Sequence, residues 1–141
     1  MFRTSLLAAA FTAGCLSVAS AATIDFRATM TGKAEVPPTT STGSGDVLAT
    51  LDTTTKKLTY TMTYAGLSGP AAAAHFHGPA EAGANAGVAV PIGTNPPSPT
   101  TGSATLTDAQ IADLEAGKWY ANVHTADNKG GEIRGQMMRV K

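Results

Sequence analysis

Three histidines are the residues of this sequence best suited to bind a metal. His75 and His77 are separated by one residue in AHFHGPA, and His124 lies far along the chain in YANVHT. Because successive side chains of a strand point to opposite faces, both rings of a His-x-His pair on a strand project from one face, about 6.5–7 Å apart. Two such rings can hold one ion at metal–nitrogen distances of about 2 Å. The pair therefore predicts a metal chelate.

The third histidine lies in a predicted hairpin formed by KWYANVHT and GGEIRGQMMRV. Alternation places Trp119, Ala121 and Val123 on one side of its first strand, and Tyr120, Asn122 and His124 on the other. On the returning strand, Ile133 and Met137 go with the apolar side, and Glu132, Arg134 and Gln136 with the polar side. If His124 pairs near Glu132, then Asn122 falls opposite Arg134. His124 and Arg134 are then diagonal neighbours, about 7–8 Å apart at their backbones.

The same residues also fit a hairpin that carries no site. In that interpretation, Arg134 only pairs with Glu132 across the sheet, and Tyr120 and Asn122 are solvated. Sequence spacing does not bring His124 near the other two histidines. Their convergence is an assumption about the fold.

The N-terminus has the pattern of a secretory signal peptide over residues 1–21. Arg3 precedes an apolar run, and Ala19 and Ala21 form an A-x-A cleavage site. An alternative is a lipoprotein signal at TAGC, in which Cys15 is acylated. Cleavage after Ala21 predicts a periplasmic or secreted domain of residues 22–141 that has no cysteine and hence no disulfide.

Charge and hydropathy exclude several partners. The chain has ten basic and ten acidic residues, a formal net charge of zero and no basic cluster, which argues against nucleic acid and anionic membrane surfaces as partners. Beyond the signal, no apolar stretch approaches the roughly 20 residues that span a bilayer. The oligomeric state is left open.

Strand patterns dominate the rest of the chain. Apolar and polar residues alternate in 23–31, 45–52 and 58–64, and DTTTKK is a predicted hairpin turn between the last two. One short helix is predicted near 107–116, with a capping box formed by Thr107 and Gln110. The stretch after the histidine pair is rich in glycine and proline and is expected to be irregular around a short apolar run at 88–92. Residues 80–100 of this stretch either cover the site or only connect two strands. The fold class predicted is all-β: an antiparallel, Greek-key-like β-sandwich or flattened barrel of about seven or eight strands.

Two blocks of this sequence resemble the CHRD domain family: AHFHGPAEAGANAGVAV and WYANVHTADNKGGEIRGQ. The opening FRATMTGKAEVPPTTSTGSGDVLATLD is similar to the start of the same family, so the likeness covers nearly all of residues 23–141. The resemblance implies a β-rich, sandwich-like domain. In bacterial members it also implies copper binding by the histidines that correspond to His75, His77 and His124.

The arrangement is more loosely similar to the copper site of Cu/Zn superoxide dismutases, which have an arginine beside the metal. The chain lacks the histidines and aspartate of a zinc site, so the likeness implies a copper-only centre. We therefore expect a mononuclear centre, with one copper ion per chain, that disproportionates superoxide. Arg134 is expected to attract this small anion, and Tyr120, Asn122 or Glu132 to hold a ring nitrogen of a ligand.

Three alternatives stay open. The first is a non-catalytic copper buffer or carrier, for which Met30, Met62, Met137 and Met138 would supply sulfur, although methionines at apolar strand positions are more typical of a core. The second is a metal-free extracellular interaction module. The third is a zinc hydrolase, for which no carboxylate has an evident general-base role.

Overall fold

The computed structural model describes residues 22–141, and the predicted signal peptide, with Cys15, lies outside them. These residues form nine strands and one α-helix, and a short 3-10 helix, Gly32–Ala34, follows the first strand. In chain order the elements are β1 (Thr23–Thr31), β2 (Ser44–Asp52), β3 (Lys57–Ala65), β4 (Ala71–His77), β5 (Val88–Thr94), β6 (Thr100–Thr105), α1 (Asp108–Glu115), β7 (Tyr120–Thr125), β8 (Ile133–Gln136) and β9 (Met138–Arg139). Across this range, no helix has the length and apolar character needed to cross a membrane.

The strands form one antiparallel sheet that curls into a nearly closed barrel. Its order is β5-β4-β7-β8-β1-β2-β3-β6, and β9 pairs with β1. The predicted all-β fold is thus confirmed. One feature of the order matters for the histidines: β7 pairs directly with β4, although β5, β6 and α1 lie between them in the sequence.

The inner face of the barrel holds the core. On β1, Phe26, Ala28 and Met30 are buried, and on β3 the same alternation buries Leu58, Tyr60 and Met62. Two further methionines differ in burial: Met137 is fully buried, and Met138 is exposed. Met30, Met62 and Met137 belong to the hydrophobic cluster, which confirms that they are core residues.

Helix α1 begins as its capping box predicts. The Thr107 hydroxyl accepts from the Gln110 backbone N–H at 3.2 Å, and the Gln110 side chain accepts from the Thr107 N–H at 2.9 Å. Gly117 follows the helix at a φ of +73°, a left-handed conformation that favours glycine. Leu114 packs into the core, and the Gln110 amide donates to the carbonyl of Ala89 in β5 at 3.3 Å. The helix therefore packs against the core through Leu114 and is tied to the edge strand β5.

The stretch after the histidine pair is more regular than its composition predicts. Residues 88–94 form a complete strand, β5, despite Pro91. A proline is tolerated here because β5 is an edge strand of the sheet, where one row of N–H groups has no strand partner. Residues 78–87, which we call the 78–87 loop, connect β4 to β5 and contact the outer face of β7 and β8.

Candidate metal centre

Strand pairing between β4 and β7 brings the three histidines together. His75 lies opposite Asn122, His77 lies opposite Tyr120, and Ala73 lies opposite His124. His124 is therefore the diagonal neighbour of His75 on the outer face of the sheet. The convergence that sequence spacing left open follows from this pairing.

The three rings form a compact cluster. Nδ1 of His75 lies 3.1 Å from Nε2 of His124, and the ring centroids of His75 and His77 are 5.4 Å apart. One nitrogen from each ring can be chosen so that all three lie within 4.8 Å of one another. His77 is buried, whereas His75 and His124 are partly exposed, so the cluster opens to solvent on the side of these two rings.

Backbone carbonyls select which ring nitrogens are free. Nδ1 of His77 lies 3.0 Å from the carbonyl oxygen of Ala86, and Nδ1 of His124 lies 2.9 Å from that of Lys129. A carbonyl only accepts, so each Nδ1 carries the hydrogen and each Nε2 keeps its lone pair in the neutral ring. This arrangement is common for metal-ligating histidines, because a partner on one nitrogen fixes the orientation of the other.

Asn122 contacts the free nitrogen of His77. Its side-chain amide oxygen lies 3.1 Å from Nε2. If the amide group is turned over, its nitrogen takes this position and donates to the lone pair of Nε2. Tyr120 and Asn122 are 2 % and 1 % exposed, so the alternative in which they are solvated is wrong. The 78–87 loop and the neighbouring side chains cover the face that the sequence pattern assigns to solvent.

Burial favours the neutral form of the two strand-β4 histidines. Desolvation lowers the pKa of His75, and the neighbouring His124 and His77 lower it further. Desolvation also lowers the pKa of His77, although its hydrogen bond to the Ala86 carbonyl opposes the shift. Neutral imidazole is the form that binds a metal, so both shifts favour ligation near neutral pH.

A stack of side chains supports the buried histidine. The Tyr120 ring lies parallel to the His77 ring, with 4.8 Å between centroids and 4° between planes. The guanidinium carbon of Arg134 lies 3.9 Å from the Tyr120 centroid. Because β4 and β8 flank β7 on opposite sides, the Tyr120 ring lies between His77 and Arg134.

Arg134 lies opposite Asn122 as predicted, but its partner is not Glu132. Its Nε donates to Glu35 at 3.0 Å, and both side chains are almost fully buried. Burial raises the pKa of Glu35, an effect that the positive charge of Arg134 opposes. The expected role of Arg134 in attracting an anion stays a prediction, and its guanidinium is paired with the Glu35 carboxylate.

Glu132 has a different environment from the one expected. Its buried carboxylate accepts from five donors, none of which is a histidine ring; the donors are the hydroxyls of Ser41, Ser68 and Thr125, the Ser68 N–H and the Asn128 amide. Burial acts to raise the pKa of Glu132, but the hydrogen bonds from these hydroxyl groups outweigh it and lower the pKa to about 2. Glu132 therefore joins three loops as an ionised carboxylate and is not a partner of a ligand.

The family model of the CHRD domain matches residues 26–137, which is most of the sequence. The chain belongs to the CHRD domain family. Comparison with curated proteins and with solved structures gave no match. In this CHRD domain, the two blocks that carry the histidines lie on the adjacent strands β4 and β7.

The CHRD site fits a metal that accepts nitrogen ligands. Metal–nitrogen bonds of about 2.0–2.1 Å require ligand nitrogens no more than about 4.2 Å apart. The three nitrogens lie within 4.8 Å of one another, so the largest distance between them has to shorten by less than about 1 Å. The donor set contains only imidazoles, which suit copper and zinc. Small rotations of the partly exposed rings of His75 and His124 would complete this approach.

Sequence reasoning missed the groups that orient the ligands. The carbonyls of Ala86 and Lys129 leave no signal in a sequence, because any residue type supplies them. Glu35 is a single acidic residue in a proline-rich segment, 99 positions before its partner Arg134. The carbonyl contacts depend on how two loops fold back onto the histidine strands, and the Glu35 contact depends on segments that are far apart in sequence.

Proposed function

We propose that this CHRD domain is exported, binds one copper ion through His75, His77 and His124, and disproportionates superoxide. One observation carries the proposal: three imidazoles from two adjacent strands converge, and carbonyls engage Nδ1 of two of them, which leaves Nε2 as the lone-pair nitrogen of each. The choice of copper rests on the resemblance to bacterial CHRD domains. The N-terminal signal pattern supports export.

Bound copper supplies the one-electron chemistry by which two superoxide anions and two protons yield dioxygen and hydrogen peroxide. The residues of the chain provide the conditions for it. Three imidazole ligands leave further coordination positions free for a small ligand. The partial exposure of His75 and His124 gives superoxide a path from solvent, while His77 is the buried ligand of the site.

The surroundings of the cluster disfavour a zinc hydrolase. Such an enzyme needs a carboxylate that is free to take a proton from a bound water. In residues 22–141 the buried carboxylates are Glu35 and Glu132. Glu35 is paired with Arg134, and Glu132 is saturated with donors and has its pKa held at about 2. Glu132 therefore has no oxygen free to act as a general base, and Glu35 has only Oε1 outside its ion pair, in a buried position.

The test is the decay of superoxide in the presence of the purified, copper-loaded domain after removal of unbound copper. We expect second-order acceleration approaching the diffusion-limited range of about 10⁸–10⁹ M⁻¹s⁻¹. The metal-free domain and the copper-treated His124→Ala variant are the controls, and both should lack this activity. Tight copper binding without acceleration would instead indicate a buffer or carrier, and failure to bind copper would leave a metal-free interaction module.

A further inference from the structure

We infer that Arg134 is a positioning residue for His77, acting through Tyr120 and the 78–87 loop, and that it does not contact the substrate. The inference rests on the proposed function in one respect, since His77 is taken as a metal ligand. Its structural part concerns the orientation and tautomer of the His77 ring, which can be measured without any metal.

The first route from Arg134 to His77 is the stack. The guanidinium lies 3.9 Å from the Tyr120 centroid, where it is attracted to the electron-rich face of the ring. The other face of Tyr120 packs flat on His77 at 4.8 Å. Arg134 therefore fixes the position of the surface against which the His77 ring rests.

The second route passes through the 78–87 loop. The two terminal nitrogens of Arg134 donate to the carbonyl of Ala84, at 3.0 Å, and to the side-chain oxygen of Asn85. The next residue, Ala86, receives the Nδ1–H of His77 on its carbonyl. The Tyr120 hydroxyl lies 3.2 Å from the Ala86 N–H and 3.3 Å from its carbonyl, so both routes meet at this residue.

The environment of Arg134 argues against direct contact with an anion. The residue is only 4 % exposed, and each of its three side-chain nitrogens already donates a hydrogen bond. Glu35 compensates its charge at 3.0 Å. A guanidinium that contacts a small anion at a metal needs an accessible N–H group, and the burial of Arg134 leaves little of its side chain accessible.

The experiment compares Arg134→Lys and Arg134→Gln with the wild-type domain. Lysine keeps the charge but lacks the planar fork that reaches two loop acceptors and stacks on a ring. The first readout is the His77 tautomer in metal-free protein, from long-range ¹H–¹⁵N NMR spectra. We expect a single Nδ1–H form in wild type and a mixture in both variants. The second readout is copper affinity, which should fall about 10- to 100-fold in both.

Two further variants complete the design. Arg27→Gln removes an exposed arginine on β1 and should leave the tautomer and the copper affinity unchanged, which controls for net charge. Tyr120→Phe keeps the ring but removes the hydroxyl that contacts Ala86, so it should loosen His77 less than either Arg134 variant does. It also keeps the inference testable if the Arg134 variants fail to fold.

Two results would overturn the inference. One is an unchanged His77 tautomer and copper affinity in Arg134→Lys, together with a superoxide rate whose salt dependence is lost only in Arg134→Gln, as direct attraction of the anion predicts. The other, which counts against the route through Ala86, is an unchanged tautomer and affinity in Tyr120→Phe when the Arg134 variants do not fold. A wild-type domain that binds no copper would refute the proposed function, while the tautomer measurement would still decide the positioning role.

Discussion

Nδ1 of His75 lies 3.1 Å from Nε2 of His124, although 49 positions separate the two residues in the chain. Since Nδ1 of His124 donates to the Lys129 carbonyl, Nε2 accepts in the neutral ring and the hydrogen between the rings belongs to His75. A metal ion would take the place of that hydrogen. The proposed metal centre therefore depends on the pairing of β4 with β7, which creates this contact.

Removal of the distant ligand should abolish tight copper binding. We expect His124→Ala to weaken copper affinity by more than the roughly 100-fold that loss of an outer partner can cause, because a direct ligand is lost. Competition with a chelator of known affinity measures the change. Lys129→Ala is the matched control, since it keeps the carbonyl that orients His124. Equal affinities in wild type and His124→Ala would show that copper binds elsewhere.

Glu132 should make stability depend on pH. Its folded-state pKa is about 2, below the unfolded value of 4.5, so the folded state favours the ionised form. The resulting stabilisation, about 3 kcal/mol by linkage, is fully present above pH ~4.5 and is lost as the pH falls towards 2. We expect Glu132→Gln to lower the free energy of unfolding by about this amount at pH 7. The difference from wild type should shrink at low pH.

Urea unfolding of the metal-free domain between pH 7 and pH 2.5 measures this difference. Glu115→Gln is the control, because Glu115 is exposed near the end of α1 and should change stability by less than about 0.5 kcal/mol. If the free energy of unfolding of Glu132→Gln stays below that of wild type by the same amount over this pH range, the lost stability comes from packing and not from the ionised carboxylate.

Two glycines near the hairpin should respond differently to a methyl group. A Cβ at Gly135 would lie 2.4 Å from the backbone oxygen of Thr29 on β1, whereas a Cβ at Gly130 would meet no atom within 4 Å. Backbone atoms of a paired strand cannot rotate away, so Gly135→Ala should destabilise the domain by about 1–3 kcal/mol. Gly130→Ala should be nearly neutral. Thermal unfolding of both variants tests this, and similar melting temperatures would contradict the close approach of β8 to β1.

Local patterns were sufficient to predict individual elements. Alternating apolar residues placed β1 and β3 and their buried faces, and the Thr107 capping box placed the start of α1. These features depend on neighbours within a few positions, so a single sequence contains the information. The same reasoning placed His75 and His77 on one face of β4.

The surroundings of the site depend on contacts between distant segments. Alternation placed Tyr120 and Asn122 on the polar side of β7 and left open that they are solvated, because the 78–87 loop that covers them has no periodic pattern. Glu132 was the alternative partner of Arg134 because alternation placed both residues on the polar side of the hairpin. The actual partner, Glu35, comes from a loop that strand order brings to β8.

The most direct test of the central claim is the nitrogen hyperfine pattern in electron paramagnetic resonance of the Cu(II)-loaded domain, prepared with ¹⁵N-labelled histidine. The chain has only three histidines, so the label reports on His75, His77 and His124 alone. We predict one Cu(II) ion per chain with coupling to three labelled imidazoles. Coupling to fewer than three, or to unlabelled nitrogen only, would contradict a centre built from these three residues.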